Sequence, residues 1–131
     1  QTWKIVLMHH PLYPIYNKQK DLTRAEAMRQ NYLPILENAG VDLILCGHQH
    51  VYCRTQPMKA GEISTHDQGG ILQLMGNASA KAYAPNDHDY IAVALPDTPT
   101  YTLITLEGSH IQLTTKDSRG DVMDQYGWEA S

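Results

Sequence analysis

Two stretches, Ile5-Val6-Leu7-Met8-His9-His10-Pro11 and Val41-Asp42-Leu43-Ile44-Leu45-Cys46-Gly47-His48-Gln49-His50, carry the reading of the whole chain. Each is a short apolar run that stops at histidine. Such a run, closed by His9-His10-Pro11 or by Gly47, suits a strand buried on both faces of a sheet. Between them, Thr23 followed by Glu26 has capping-box spacing, and Met28, Tyr32, Ile35, Leu36 and Ala39 follow a helical period up to Gly40. The pattern predicts a helix over 23–39, kinked or split at Pro34, whose ring removes the hydrogen bond to the Gln30 carbonyl. Strand, helical crossover and strand make a βαβ unit with parallel strands and a right-handed crossover.

After Met58 the pattern changes to a polar loop with Gly69 and Gly70, then strands over 71–75, 91–95, 101–106 and 110–115. The last two are joined by Glu107-Gly108-Ser109, a hairpin signature. Val122, Met123, Tyr126 and Trp128 add an edge strand or cap the core. The chain of 131 residues needs only one core and divides nowhere.

A formal net charge of -4, with Lys and Arg scattered along the chain, leaves no basic stripe for a nucleic-acid backbone. The apolar runs fall far short of the ~20 residues of a membrane-spanning helix. Cys46 and Cys53 can pair only across the short loop holding His48 and His50, which a bridge would strain, so free thiols are the simpler reading. Gln1-Thr2-Trp3-Lys4 runs straight into the first strand with neither an initiator Met nor signal-peptide features, and the chain is expected to start within a larger protein.

In an open α/β sheet, ligands gather beyond the carboxyl ends of the strands. Parallel pairing brings His9 and His10 to the same sheet edge as His48 and His50. Neutral imidazole is a common transition-metal donor. Gly47 would let the backbone turn, and in an extended segment residues two apart face the same side, so His48 and His50 could serve one metal or two. A lone His-X-His has bland explanations, such as a satisfied surface hydrogen bond, but its coincidence with a second strand-end histidine favours metal binding. Asp42 lies at the wrong end of its strand, and Asp67, Asp87, Asp89 and Asp97 sit in loops, so none is a convincing bridging carboxylate. His66, His88 and His110 read as solvated, and Tyr13 and Tyr16 as half-buried core.

Val6-Leu7-Met8-His9 and Gly47-His48-Gln49-His50 resemble the Val-X-X-His and Gly-His-X-His motifs of the calcineurin-like metallophosphoesterases, and "VLMHHPLY" with "GHQHVYCRT" is similar to the purple acid phosphatases. The resemblance is firm from Ile5 to about Arg54 and looser through Gly76-Asn77-Ala78-Ser79 and the closing hairpin. It implies a layered α/β/β/α sandwich, of which this chain supplies one βαβ unit followed by mostly antiparallel strands. It also implies hydrolysis of phosphate esters at two divalent or trivalent metal ions, iron, zinc or manganese. His9 and His48 would serve one metal, His50 the other, with His10 touching substrate or merely packing beside them.

The family's remaining ligands, two Asp and an Asn, belong to motifs upstream of the Val-X-X-His strand, and those motifs are absent. Residues 1–131 are therefore expected to be the C-terminal portion of the catalytic domain, inactive without its N-terminal half. The resemblance further implies an exported protein, secreted or periplasmic. Two departures stand out: Asn17-Lys18-Gln19-Lys20 replaces histidines that plant purple acid phosphatases usually carry near the leaving group, and Cys53 replaces a Glu. Lys18 and Lys20 could face a phosphate or simply be solvated. The competing readings are a non-catalytic module holding one structural metal and a β-rich interaction domain with incidental histidines.

Overall fold

A computed structural model describes residues 2–78 and 85–130. Gln1 and Ser79, both used in the sequence reading, lie outside the described residues. The elements are β1 (Ile5–Leu7), α1 (Gln19–Asn31), α2 (Leu33–Asn38), β2 (Leu43–Cys46), β3 (Tyr52–Thr55), β4 (Met58–Lys59), β5 (Glu62–Ile63), β6 (Leu72–Met75), β7 (Ile91–Leu95), β8 (Thr100–Glu107), β9 (His110–Asp117) and β10 (Val122–Glu129). A five-stranded sheet runs β1-β2-β6-β3-β7, a three-stranded sheet runs β10-β9-β8, and β4 with β5 forms a small hairpin.

The βαβ unit is present, with β1 parallel to β2 and Ile5 opposite Leu43. β6 is also parallel to β2, and the remaining pairs are antiparallel. Alternation along the strands places apolar residues on both faces of the large sheet, with a further cluster of Ile15, Val51, Cys53 and Met75. Val6 and Ile44 face Leu12, Tyr13 and Leu33 on the helical side. Ile5, Leu43, Leu45, Leu72 and Leu74 face Ile111, Leu113 and Trp128 of the smaller sheet. Helices, large sheet and small sheet thus make α/β/β layers, the mixed architecture expected.

Several local expectations change. The helix begins at Gln19 with Lys18 as N-cap, and no side chain caps it. Thr23 is already inside the helix, where its hydroxyl accepts from Gln19 Nε2 at 3.1 Å, so the capping-box spacing is unused. The break before Pro34 is there, with proline opening α2, where its missing N–H costs nothing. The expected apolar stripe is displaced: Tyr32 and Ile35 are exposed and Leu33 is buried. Reorienting the short second helix after the break moves the buried face off a single helical period.

β1 is an edge strand, not one buried on both faces. Among the described residues it pairs with β2 alone, and Leu7 is 78% exposed. β3 is an addition, inserted between β6 and β7. At four residues, it has no turn signal separating it from the His-Gln-His loop. β4 and β5 form where a polar loop was expected. Their turn places Ala60 and Gly61 at φ 52 and 82, and the Ala60 N–H donates to Glu37 Oε2 at 2.8 Å. Cys46 and Cys53 are free, and each lies opposite Met75, on strands flanking β6 from either side. Two strand spacings of ~4.8 Å separate them, beyond the reach of a disulfide.

The three histidines read as solvated all have partners. His66 stacks on Trp128 at 4.4 Å and 8° and meets the Tyr126 hydroxyl through Nε2 at 2.7 Å. His88 stacks on Tyr90 at 4.7 Å and meets Asn17 Oδ1 at 2.7 Å. His110 Nδ1 lies 2.7 Å from Glu129 Oε1. Each of the hydrogen-bonded pairings joins segments remote in sequence. Among the described residues no helix is long and apolar enough to cross a membrane.

Gly70 sets a packing limit beside the helical core. A Cβ there would lie 2.8 Å from both Pro57 Cβ and the Thr65 carbonyl oxygen, neither of which can swing away. Gly70→Ala is expected to cost about 1–3 kcal/mol, read as a lower urea midpoint with an unchanged slope. A midpoint equal to wild type would show that the Pro57 segment yields freely.

Candidate metal centre

The ladder between β1 and β2 continues past the strand ends. Met8 N–H donates to Leu45 O at 2.9 Å, and Gly47 N–H donates to His9 O at 3.0 Å. This zips His9 against the Gly47-His48 turn. The next segment, Pro11 to Ile15, is wholly buried, so its backbone needs internal partners. Two buried glutamines provide them. Gln73 Oε1 accepts from Leu12 N–H at 2.9 Å and Tyr13 N–H at 3.0 Å, while Gln49 Oε1 accepts from Ile15 N–H at 2.6 Å. The loop that leaves His10 is thereby held from both sides.

His9, His10 and His48 converge, with one donor nitrogen from each lying within 4.8 Å of the others. Their ring centroids are 4.6 Å (His9–His10), 5.2 Å (His9–His48) and 4.6 Å (His10–His48) apart. Imidazole nitrogens bind a zinc-class ion at ~2.0–2.1 Å, so two donors on one ion lie at most ~4.2 Å apart and small ring rotations would gather them. Burial, then the Arg24 charge and the neighbouring imidazoles, pulls the His10 pKa below its ordinary value, favouring the neutral form that a metal or a proton acceptor needs. Three converging imidazoles suit a transition metal. No carboxylate belongs to this cluster among the described residues.

The His-Gln-His loop is not extended. His48 and His50 have φ of 77 and 50, in the left-handed region, whereas Gly47 is not among the positive-φ residues and has open space around a would-be Cβ. The turn expected of the glycine is made by the histidines themselves, at a backbone cost of order 1–3 kcal/mol each, the kind of strain found at functional sites. His48 faces His9 and His10, and it also borders a shallow hollow lined by His50, Gly76, Asn77 and Ala78. His50 is outside the three-histidine cluster. Lys18 and Lys20 are exposed at the start of α1, and Asp42, just before β2, accepts from Lys4 N–H at 2.8 Å, away from the strand ends.

Asp21, in the first turn of α1, was invisible to sequence reasoning. It is 4% exposed, with Oδ1 2.8 Å from His48 Nε2 and Oδ2 accepting from Gln49 Nε2 at 2.9 Å. Burial alone would raise its pKa, but the hydrogen bonds from Gln49 and His48 outweigh burial and lower it. An acidic residue in a helix's first turn is ordinary. Nothing in the local pattern marks it as a partner of a histidine 27 positions away.

Residues 1–52, which include β1, the helical crossover, β2 and the His-Gln-His loop, match the family model of the calcineurin-like phosphoesterases. A purple acid phosphatase of soybean (Glycine max) is 32% identical over 81 residues, covering 62% of this chain. Over this stretch the chain is similar to the calcineurin-like phosphoesterases. An uncharacterized protein of Mycobacterium tuberculosis is 36% identical over 59 residues, or 44% of this chain. The chain spans only 17% of the soybean protein's length and 10% of the mycobacterial one's. In structure, the purple acid phosphatase PPD1 of yellow lupin superposes over 98% of this chain and 25% of its own, with a TM-score of 0.76 at 19% identity. GAP50, described as the anchor in the inner membrane complex of Plasmodium, superposes over 98% of this chain and 37% of its own, with a TM-score of 0.76 at 14% identity. The phosphoesterase-type fold therefore extends through β10, well beyond the 52 residues matched by the family model.

Proposed function

We propose that this chain takes part in the metal-dependent hydrolysis of phosphate esters. His9 and His48 hold one divalent or trivalent cation, and His50 serves a second across the adjoining hollow, with iron, zinc or manganese as the metals. The observation that carries the reading is the convergence of His9, His10 and His48 at the carboxyl ends of two parallel strands, inside the segment related to phosphoesterases. Cations held there would supply Lewis acidity toward phosphoryl oxygens and acidify a water nucleophile. His10, neutral and beside His48, is placed to exchange a hydrogen bond or proton with the ester or its leaving group.

Imidazoles bring no negative charge to offset two neighbouring cations. Asp21 is committed to His48 and Gln49. The proposal therefore requires acidic ligands from outside these 131 residues, carried by an N-terminal segment that docks along the free edge of β1 at Leu7. The chain alone would then be inactive. Export to the periplasm or beyond the cell is part of the same reading and rests on the soybean relationship alone.

Metal content by mass spectrometry and hydrolysis of p-nitrophenyl phosphate test this, on the chain alone and on the longer protein that the proposal requires, each with His48→Ala. Two metals and hydrolysis in the longer protein, both lost in the variant, are expected. One tightly held metal without hydrolysis in either form would replace this reading with a non-catalytic metal-binding module, since a shared fold does not fix activity.

A further inference from the structure

Gln49 is the spacer of the His-Gln-His motif and would ordinarily be expected to face solvent, yet it is fully buried. Its orientation is settled by chemistry. The Ile15 N–H can only donate, so the oxygen it meets at 2.6 Å is Oε1, and the Gln49 amide nitrogen faces the Tyr16 carbonyl at 3.1 Å and Asp21 Oδ2 at 2.9 Å. One oxygen of Asp21 is thus held by Gln49, and the other is aimed at His48 Nε2 at 2.8 Å. A carboxylate only accepts, so His48 Nε2 carries a proton, and in the neutral ring Nδ1 is the nitrogen left bare.

We propose that Asp21 is the positioning residue of the metal centre: clamped by Gln49, it fixes the proton of His48 on Nε2 and so makes Nδ1 the metal donor. Histidine ligands commonly give their second N–H to a carboxylate, which sets the tautomer and ring direction and raises the basicity of the donor nitrogen. Here the carboxylate comes from a helix and the imidazole from a strand-end loop. The network Asp21–Gln49–Ile15 ties both to the buried segment that leads away from His10. The inference rests on the metal-site reading above.

The test exploits the clamp. In Asp21→Asn, Gln49 Nε2 still demands an acceptor, so the new amide must turn its oxygen to Gln49 and its NH2 to His48. Nε2 then has to accept, and the proton moves to Nδ1, the nitrogen required for metal. Long-range 1H–15N spectra of the metal-free protein at a pH of about 8, above the ordinary imidazole range, report the tautomer directly. Wild type should show a protonated, pyrrole-type Nε2 on His48, and Asp21→Asn a protonated Nδ1.

Zinc titrated calorimetrically into each should bind about 10- to 100-fold more weakly to the variant. A wild-type His48 protonated on Nδ1, or an unchanged tautomer and zinc affinity in Asp21→Asn, would overturn the assignment, and the wild-type spectrum decides even if the variant misfolds. Because the tautomer is read without metal or substrate, the two ideas fail separately. Zinc bound with Nε2 unprotonated removes only the role of Asp21. The expected tautomer with no zinc bound by wild type removes the metal reading and this inference with it.

Discussion

Asp124→Ala should lower the unfolding free energy by about 3–5 kcal/mol. Asp124 on β10 meets Arg54 on β3 in a forked pair, Oδ2 accepting from Nε at 2.9 Å and Oδ1 from the second guanidinium arm at 3.2 Å. The Tyr52 hydroxyl donates to the same carboxylate at 2.6 Å. The two side chains are only 11% and 8% exposed, and the guanidinium lies over the Tyr126 ring at 4.3 Å. Removing the carboxylate strands a cation and a hydroxyl between the two sheets, where water cannot readily replace it. The cost follows from leaving a charge uncompensated and is no measure of the pair's net worth. Arg54→Met combined with Asp124→Leu should therefore recover much of the loss.

The same pair carries an acid dependence. Burial alone would raise the Asp124 pKa, but the hydrogen bonds from Arg54 and Tyr52 lower it overall. The folded value thus lies below the unfolded one of about 3.9. Its stabilisation is complete above that unfolded value and disappears as pH falls through the folded one. Urea unfolding at neutral pH decides the main claim. A loss under about 1 kcal/mol for Asp124→Ala would place the pair in the class of solvated surface bridges.

A second loss of stability is expected between pH 6.5 and 4, and it comes from His66. Burial against Trp128 and Tyr126 lowers its pKa to about 4, with the Asp67 charge pulling the other way. The unfolded chain takes up this proton near pH 6.5, well before the folded one does. Stability is therefore full above about 6.5 and falls as pH drops toward 4, by at most about 3 kcal/mol. His66→Phe keeps a ring against Trp128 but cannot titrate. The difference in urea midpoint between wild type and this variant should shrink or reverse from pH 7 to pH 4.5. A difference that stays constant across that range would mean that His66 charges as readily in the fold as outside it.

The proposed metal ligands were accessible from the amino-acid order because the signals are local. Apolar runs that end in histidine mark strand ends, and parallel pairing across a helical crossover brings such ends to one sheet edge, whatever the remaining contacts. The split before Pro34 and the hairpin at Gly108 are equally local, since a missing N–H and a left-handed turn act within a few residues. Free thiols, by contrast, follow from register: Cys46 and Cys53 flank β6 and cannot reach each other.

What escaped local reading depends on partners far apart in the chain. Asp21 and His48 are 27 residues apart, and Arg54 and Asp124 are 70 apart. Each of these residues has an ordinary exposed role wherever its neighbours alone are considered. The same holds for Gln49 and Gln73, polar residues that are buried because a loop packed over the sheet needs its backbone groups satisfied. Period and propensity can place a histidine at a strand end. Its tautomer, its companions and the direction of its ring depend on which distant donors and acceptors the packed layers shut away from water together.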